Sequence, residues 1–269
     1  MMDVALAFYA DKAYLPGLNA LLASLQAHGM PELPKILITR NAATGPICPA
    51  RADPAIRADA RFERIILSRA QDFAGVKYAP RFLHAWAKLE LFRITDYDRI
   101  IYLDADCLCT GSLQDLCTAD LGPGGFAAAP DWSGRESVTR AYQLRGINSG
   151  MMVIDRVLRS QQTFEQLVEI GRQGLAYDGG DQGAINRWLQ DQSVPVCRLH
   201  PVYNLLKRVY FFDPRAWRRL ATEVRVIHFV GAKPWQLQQH EWDYEPLNEF
   251  WRQACRGDTP PVPFPVRRR

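Results

Sequence analysis

The chemical signal that organises this chain is Asp104-Ala105-Asp106, two carboxylates directly behind the apolar run Ile100-Ile101-Tyr102-Leu103. Four apolar residues without alternation read as a strand buried on both faces of a parallel sheet. At the end of such a strand two acids can converge on one hard divalent cation, which relieves their mutual repulsion. The carboxyl edge of an open α/β sheet is also where ligands bind. An acidic turn is the alternative, since Asp readily accepts from nearby backbone N–H groups. A second candidate is Tyr177-Asp178-Gly179-Gly180-Asp181-Gln182-Gly183, where three glycines beside two carboxylates and a carboxamide suit a backbone that yields to a ligand. Asp181 could equally cap the helix that follows. The third is His228, a ligand or a core residue on the apolar stretch Val224–Val230, followed by Gly231-Ala232-Lys233-Pro234-Trp235.

The elements that must position these groups alternate. Val4–Tyr9 reads as a buried strand, and Leu15, Leu18, Leu22 and Leu25 make one face of a helix that ends at Gly29. Strands follow at Lys35–Thr39 and Phe62–Leu67. Phe82, Trp86, Leu89 and Arg93 then wind around a helix over Arg81–Ile94 that carries Lys88, which by spacing alone is a solvated charge. Ser112 and Asp115 have the spacing of a capping box. Phe126–Ala129, ending at Pro130-Asp131, and Ile147–Ile154 read as further strands, with Asn148, Ser149 and Gly150 opening the latter. Gly150 permits a close approach or a bulge. Amphipathic helices are expected over Arg156–Gly171 and Ala184–Leu189, and a short one with Phe250 and Trp251 near the end. This order predicts an α/β fold, a mixed central sheet flanked by helices. We expect one domain over residues 1–242 and a C-terminal helix with a Pro/Arg-rich tail over 243–269.

A chain of 269 residues, 48% of them hydrophobic, can bury a sizeable core. Its net charge of +4 and the lack of dense basic runs outside Arg267-Arg268-Arg269 speak against a nucleic-acid partner. Six cysteines without paired C-x-x-C spacing read as reduced core thiols. The run Val4–Tyr9 is too short for a signal-peptide core, and no apolar run approaches the roughly 18–20 residues of a membrane span. The expectation is a cytoplasmic protein, with peripheral membrane contact and a homodimer left open.

The words RIIYLDADCLCTGSLQDL, INSGMMVID, YDGGDQGAINRWL and VIHFVGAKPW, in this order, resemble the retaining glycosyltransferases of family 8, and YDGGDQG resembles glycogenin in particular. The resemblance runs from Val4 to Trp235. It implies a GT-A fold with a single Rossmann-like nucleotide-sugar-binding domain, a UDP-glucose or UDP-galactose donor, and Mn²⁺, or Mg²⁺, at the diphosphate. By the same resemblance Asp104, Asp106 and His228 are the metal ligands, a donor set that suits a borderline ion. Lys233 matches a diphosphate-binding lysine and Lys88 the lysine on the helix before the metal strand. Asp11 and Tyr14 lie near the uracil and ribose, Ala105 and Gly231 line the donor, and Asn148, Ser149 and Gly150 touch the sugar. Asp178, Asp181 and Gln182 form the loop beside the anomeric carbon.

Three departures bear on these roles. The last motif reads H-x-x-G-x-K, one residue shorter than the family's H-x-x-G-x-x-K, so Lys233 is less firmly matched than His228. Tyr9 and Ala10 stand where glycogenin has small hydroxyl residues, and Arg81 is spaced differently from Lys88 than the family arginine. The acceptor is expected to be a separate glycan or lipid-linked sugar, with self-glucosylation on Tyr210 as the alternative. A metal-dependent phosphohydrolase with Asp104 as nucleophile and a non-catalytic sugar-nucleotide binder are the rival readings.

Overall fold

The computed structural model describes residues 2–28, 30, 32–41, 59–78, 84–236, 244–258 and 260–265. Gly29, Cys48, Arg81, Phe82 and Arg267-Arg268-Arg269 fall outside them. The strands are β1 (Val4–Tyr9), β2 (Lys35–Asn41), β3 (Arg64–Arg69), β4 (Arg99–Asp104), β5 (Cys107–Cys109), β6 (Phe126–Pro130), β7 (Ile147–Asp155), β8 (Val196–Arg198), β9 (Leu205–Leu206) and β10 (Val226–His228). The helices are α1 (Leu15–Ala27), α2 (Val138–Arg145), α3 (Gln161–Gln173), α4 (Asp181–Asp191), α5 (Arg208–Phe212), α6 (Pro214–Leu220) and α7 (Glu245–Cys255), together with a 3₁₀ helix over Ala85–Arg93.

Seven strands form one mixed sheet in the order β3-β2-β1-β4-β7-β6-β8. Alternation along each strand divides its side chains between two cores. Ala5, Ala7 and Tyr9 of β1 and Tyr102 of β4 join Leu89, Phe92, Leu167 and Trp188 on one face, while Leu6, Phe8 and Leu103 join Leu18, Leu21 and Leu25 of α1 on the other. Both faces are covered, which is why these strands read as unbroken apolar runs. Each fully buried Leu or Phe contributes about 1.5–3 kcal/mol of apolar transfer free energy.

Register brings the chemistry to one edge. Tyr9 at the end of β1 pairs with Asp104 at the end of β4. β7 runs antiparallel to β4, with Leu103 opposite Met151, so its first residues, Asn148 to Gly150, lie beside the acids. After a two-residue turn β5 enters a second sheet, β5-β10-β9, in which Cys107 pairs with His228 and His228 with Leu206. His228 is thereby fixed across the turn from Asp106.

A third apolar cluster joins β9, β10, α5, α6 and α7 through Leu205, Ile227, Tyr210, Trp217, Leu247 and Trp251. The C-terminal segment lies across this lobe. Tyr210 Oη donates to Phe264 O at 3.2 Å and Trp217 Nε1 to Pro263 O at 2.8 Å. Among the described residues no helix is long and apolar enough to cross a membrane, and Cys107, Cys109, Cys117, Cys197 and Cys255 are free thiols.

Several boundaries differ from the sequence expectation for local reasons. The helix expected over Arg156–Gly171 divides into a 3₁₀ turn, Arg156–Leu158, and α3, because Ser160 accepts from Thr163 N–H at 3.0 Å and starts a new helix there. Ser112 and Asp115 form no capping box; the Ser112 hydroxyl accepts from Gln114 N–H at 3.2 Å and Asp115 takes the Tyr203 hydroxyl. The third strand begins at Arg64 rather than Phe62, and the strand bearing His228 is only three residues long. The segment carrying Lys88 is a 3₁₀ helix in which Trp86, Leu89 and Phe92 repeat every third residue and all are buried.

Arg99, 2% exposed at the start of β4, donates to both oxygens of Asp155 and, from Nη1, to Leu116 O and Ala119 O at 2.9 and 2.8 Å. Arg99→Leu leaves a carboxylate and two carbonyls without their donors. Urea unfolding should show a loss of roughly 3–5 kcal/mol, and a loss below 1 kcal/mol would mean that solvent replaces the guanidinium.

Candidate active site

Lys88 is not solvated. Its ammonium, buried by the sheet edge, lies 2.9 Å from Asp104 Oδ1 and 2.9 Å from Asp181 Oδ2, and donates to Ser149 Oγ at 3.2 Å. Burial alone would lower its pKa, but Asp104 and Asp181 more than offset this and raise it. The 3₁₀ helix can present a charge to the interior because those two carboxylates accept it. Trp86 on the same helix donates from Nε1 to Gly179 O at 3.3 Å, tying the helix to the glycine-rich loop.

On the other flank Lys233 pairs with Asp106 and donates to Phe229 O at 3.1 Å. The shortened H-x-x-G-x-K spacer therefore still delivers the lysine to the acids. Gly231 makes the turn with φ of +79°, a conformation that favours glycine, and Lys207 Nζ holds it by donating to Ala232 O at 2.6 Å. Burial opposes ionisation of Asp106, yet Lys233 and His228 draw its carboxyl below the ordinary range.

His228 Nε2 lies 3.2 Å from Asp106 Oδ1 and 3.9 Å from Asp104 Oδ2. Two donors each about 2.2 Å from one ion stand roughly 3–4.4 Å apart, so these three groups fit a shared divalent cation. The tightest group of potential ligand atoms is Asp106, Cys107 and His228, within 4.8 Å of one another. Cys107 is the weaker candidate for a hard ion: its thiol donates to Gly150 O at 3.6 Å, and burial, with Asp106 and Asp104 nearby, holds its pKa well above the ordinary thiol value. Gly150 has a packing reason beyond any ligand. A Cβ there would overlap Cε1 and Nδ1 of the His228 ring.

The glycine-rich loop divides its roles differently from the sequence expectation. α4 begins at Asp181, not Ala184, and it is Asp178 that accepts from the N–H groups of Gly180 and Gly183, at 2.8 and 3.1 Å. Asp181, 5% exposed, turns instead to Lys88 and to Ser149 Oγ, which donates to it at 2.8 Å. Gln182 Oε1 accepts from Asn148 Nδ2 at 3.0 Å and from Ser149 N–H at 3.2 Å. Burial raises the Asp178 pKa.

At the outer rim Asp11 caps a 3₁₀ turn, accepting from Ala13 N–H at 2.9 Å and Tyr14 N–H at 3.3 Å. The Tyr14 ring meets Trp235 edge-on at 5.9 Å and lies 5.7 Å from Lys233 Nζ, so the first and last motifs close on one another. Ala105 is buried, with its carbonyl oxygen against Gly17 of α1. Tyr210, the alternative acceptor, lies away from this rim. It is 4% exposed in the third cluster with its hydroxyl on Phe264 O.

Sequence reasoning missed Tyr102, whose hydroxyl donates to Asp104 Oδ1; Asp131, which pairs with Arg208 at 3.1 Å; and Asn204, which faces His228. Only Asn204 carried a signal, a carboxamide immediately before the apolar pair Leu205-Leu206.

The model of the family described as "Glycosyl transferase family 8" matches residues 5–239. Glycogenin-1 of Caenorhabditis elegans is 30% identical over 153 residues, covering 56% of this chain and 32% of that protein. Glycogenin of Neurospora crassa is 24% identical over 242 residues, covering 87% of this chain and 31% of that protein. The chain thus spans about a third of the length of these relatives. Among solved structures, galactosyltransferase LgtC with donor and acceptor sugar analogs superposes with a TM-score of 0.67 at 24% identity, covering 96% of this chain and 97% of that one. Glycosyltransferase GlyE of Streptococcus pneumoniae gives 0.65 at 20% identity, over 93% of this chain and 60% of that one. The fold is that of the GT-A glycosyltransferases.

Two outcomes follow from this geometry. Gly150→Ala forces the His228 ring aside without altering any donor atom, so Mn²⁺ binding followed by electron paramagnetic resonance should be lost while circular dichroism stays native; retained binding would remove His228 from the ligand set. Lys88 and Lys233 are both raised above the ordinary lysine value of 10.5, so the stabilisation from their ion pairs is complete below pH 10.5 and drains as the pH climbs through the raised values. The urea-unfolding difference between wild type and Lys88→Met, roughly 3–5 kcal/mol, should therefore be flat from about pH 5 to 10 and shrink above. A difference that vanishes below pH 10 would place the lysine charge outside the cluster.

Proposed function

Because the chain belongs to glycosyltransferase family 8, we propose that it transfers a hexose, with retention of anomeric configuration, from UDP-glucose or UDP-galactose to a separate glycan or lipid-linked sugar. The observation that carries this reading is the meeting of Asp104, Asp106 and His228 at one sheet edge, flanked by Lys88 and Lys233. A divalent ion, Mn²⁺ or Mg²⁺, would supply Lewis-acid charge beside the donor diphosphate there.

The remaining work falls to side chains. Lys233 stands where an ammonium can take up the charge that develops on a departing diphosphate. Asp11, Tyr14, Ala105 and Gly231 are assigned to the nucleotide end of the donor, and Asn148, Ser149 and Gly150 to its sugar. Asp181, held by Lys88 and Ser149, is the carboxylate assigned to stabilise positive charge at the anomeric carbon. Asp178 and Gln182, whose oxygens accept from backbone N–H groups, are assigned to shape the loop.

The complex of LgtC with donor and acceptor sugar analogs is a precedent for a separate sugar acceptor on this fold. Burial of Tyr210 weighs against self-glucosylation at that residue. A phosphohydrolase would need a free nucleophilic oxygen on Asp104, but Tyr102 and Lys88 engage that carboxylate. Free thiols suit a reducing compartment and support a cytoplasmic setting.

The test is UDP release from UDP-glucose and UDP-galactose with and without Mn²⁺, alongside intact mass and phosphate release from simple esters. Metal-dependent UDP release is expected, lost in Asp106→Asn, with an unchanged protein mass. Asp181→Asn should lower kcat with little change in donor Kd, as for a group that acts mainly in the transition state. Hexose increments on the protein would favour the self-glucosylating reading, and phosphate release without UDP-sugar turnover would overturn both.

A further inference from the structure

His228 is backed by an unbroken line of hydrogen bonds. Its Nδ1 lies 3.0 Å from Asn204 Oδ1; Asn204 Nδ2 donates to Asn148 Oδ1 at 2.8 Å; Asn148 Nδ2 donates to Gln182 Oε1 at 3.0 Å; Gln182 Nε2 donates to Tyr177 Oη at 3.0 Å; and Tyr177 Oη donates to Arg145 O at 3.2 Å. Asn204, His228 and Asn148 are 2%, 4% and 5% exposed, so water does not compete for the contacts among these three, while the far end at Tyr177 reaches solvent.

The direction of every proton in this line is forced. Gly150 N–H can only donate, and it donates to Asn148 Oδ1 at 3.0 Å, which makes that atom the carbonyl oxygen. The Asn204 atom facing it must then be the NH₂, and the Asn204 atom facing His228 must be the oxygen. An amide oxygen only accepts, so His228 Nδ1 carries the proton. Further along, Ser149 N–H donates to Gln182 Oε1 at 3.2 Å, which fixes that carboxamide in the same sense. The far end closes on a backbone carbonyl. Two backbone donors and one backbone acceptor therefore leave a single arrangement.

We infer that Asn204 is a positioning residue, which fixes His228 in the Nδ1–H tautomer so that the Nε2 lone pair is presented to the cation site formed with Asp104 and Asp106. In solution a neutral imidazole is free to carry its proton on either nitrogen, and with the proton on Nε2 it would be a donor to the carboxylates instead of a ligand. Gly150 serves the same end twice: its N–H anchors the line, and its missing Cβ leaves room for the ring. The line also joins the metal ligand to the glycine-rich loop, since Asn148 is the one residue that bonds both Asn204 and Gln182 among the described residues. Donors that all point the same way polarise one another, which strengthens each bond.

The inference rests on the reading of His228 as a ligand only for its second readout. The first is the tautomer of metal-free protein labelled with ¹⁵N-histidine, seen in long-range ¹H–¹⁵N correlation spectra. Wild type should show Nδ1 of His228 protonated, whether Nε2 is bare or shares a proton with Asp106 in the ion-free site, and Asn204→Leu should leave Nδ1 without its proton or in exchange. Asn204→Asp, whose carboxylate only accepts, should keep it on Nδ1. The second readout is Mn²⁺ titration by electron paramagnetic resonance, in which Asn204→Leu should weaken binding by roughly 10–100-fold. Should Asn204→Leu not fold, Asn148→Ala frees the Asn204 amide to turn and should shift the tautomer in the same direction. An unprotonated Nδ1 in wild type, or an Nδ1 proton that survives in Asn204→Leu and Asn148→Ala, would overturn the inference. Absence of UDP-sugar turnover with the tautomer as expected would overturn the proposed function alone.

Discussion

Carboxylates gathered at a poorly hydrated sheet edge repel one another, and the rest of this site is built to contain that repulsion. Asp104, Asp106 and Asp181 meet where Asp106 and Asp181 are each 5% exposed. Burial of an unpaired carboxylate is costly, so each needs a cation in contact. Lys88 arrives from one side and bridges Asp104 and Asp181, while Lys233 arrives from the other and holds Asp106. Both lysines are carried by segments whose own conformation looks unfavourable in isolation: a nine-residue 3₁₀ helix and a turn with a positive-φ glycine. The ion pairs make those conformations worthwhile, and the segments in turn set where the charges lie.

This coupling explains which parts of the site were legible in the amino-acid sequence. The strand ending in Asp104-Ala105-Asp106 announced itself because both its faces are covered and the apolar run stops abruptly at two acids. The first three strands and α1 were legible for the same reason, with boundaries shifted by about two residues. Lys88 was not legible as a buried charge. Residue spacing along its helix says nothing of the carboxylates that the sheet brings to meet it, and so a solvated lysine was the natural reading. The acidic loop presented two aspartates three residues apart, and the sequence suggested Asp181 as the one that could cap the helix. Only the fold shows Asp178 taking the backbone donors and Asp181 facing the lysine.

The second sheet was largely hidden. Strands of two and three residues, β9 and β10, are too short to show a period, and β10, on which β9 pairs, is held by β5 from more than a hundred positions earlier in the sequence. Asn204 draws its role from that pairing, because β9 beside β10 is what sets its carboxamide against the imidazole. The C-terminal tail was likewise opaque. Its backbone carbonyls, not its side chains, accept from Tyr210, Trp217 and Arg218, and carbonyls leave no trace in residue identity.

The choice of amides for the line behind His228 follows from the same charge constraint. A histidine ligand is often backed by a carboxylate, which fixes its tautomer and raises its basicity. Here the imidazole already faces Asp104 and Asp106, and a third carboxylate behind it would favour the imidazolium, whose Nε2–H would occupy the position a cation needs. Asn204 supplies the acceptor without the charge. Asn148 and Gln182 continue the line with carboxamides, and the acid that does touch it, Asp131, which accepts from Asn148 Nδ2 at 3.3 Å, is paired with Arg208 and so makes no demand on Lys88 or Lys233. A carboxamide is thus the side chain that satisfies both demands at this position, a fixed proton on Nδ1 and no added negative charge.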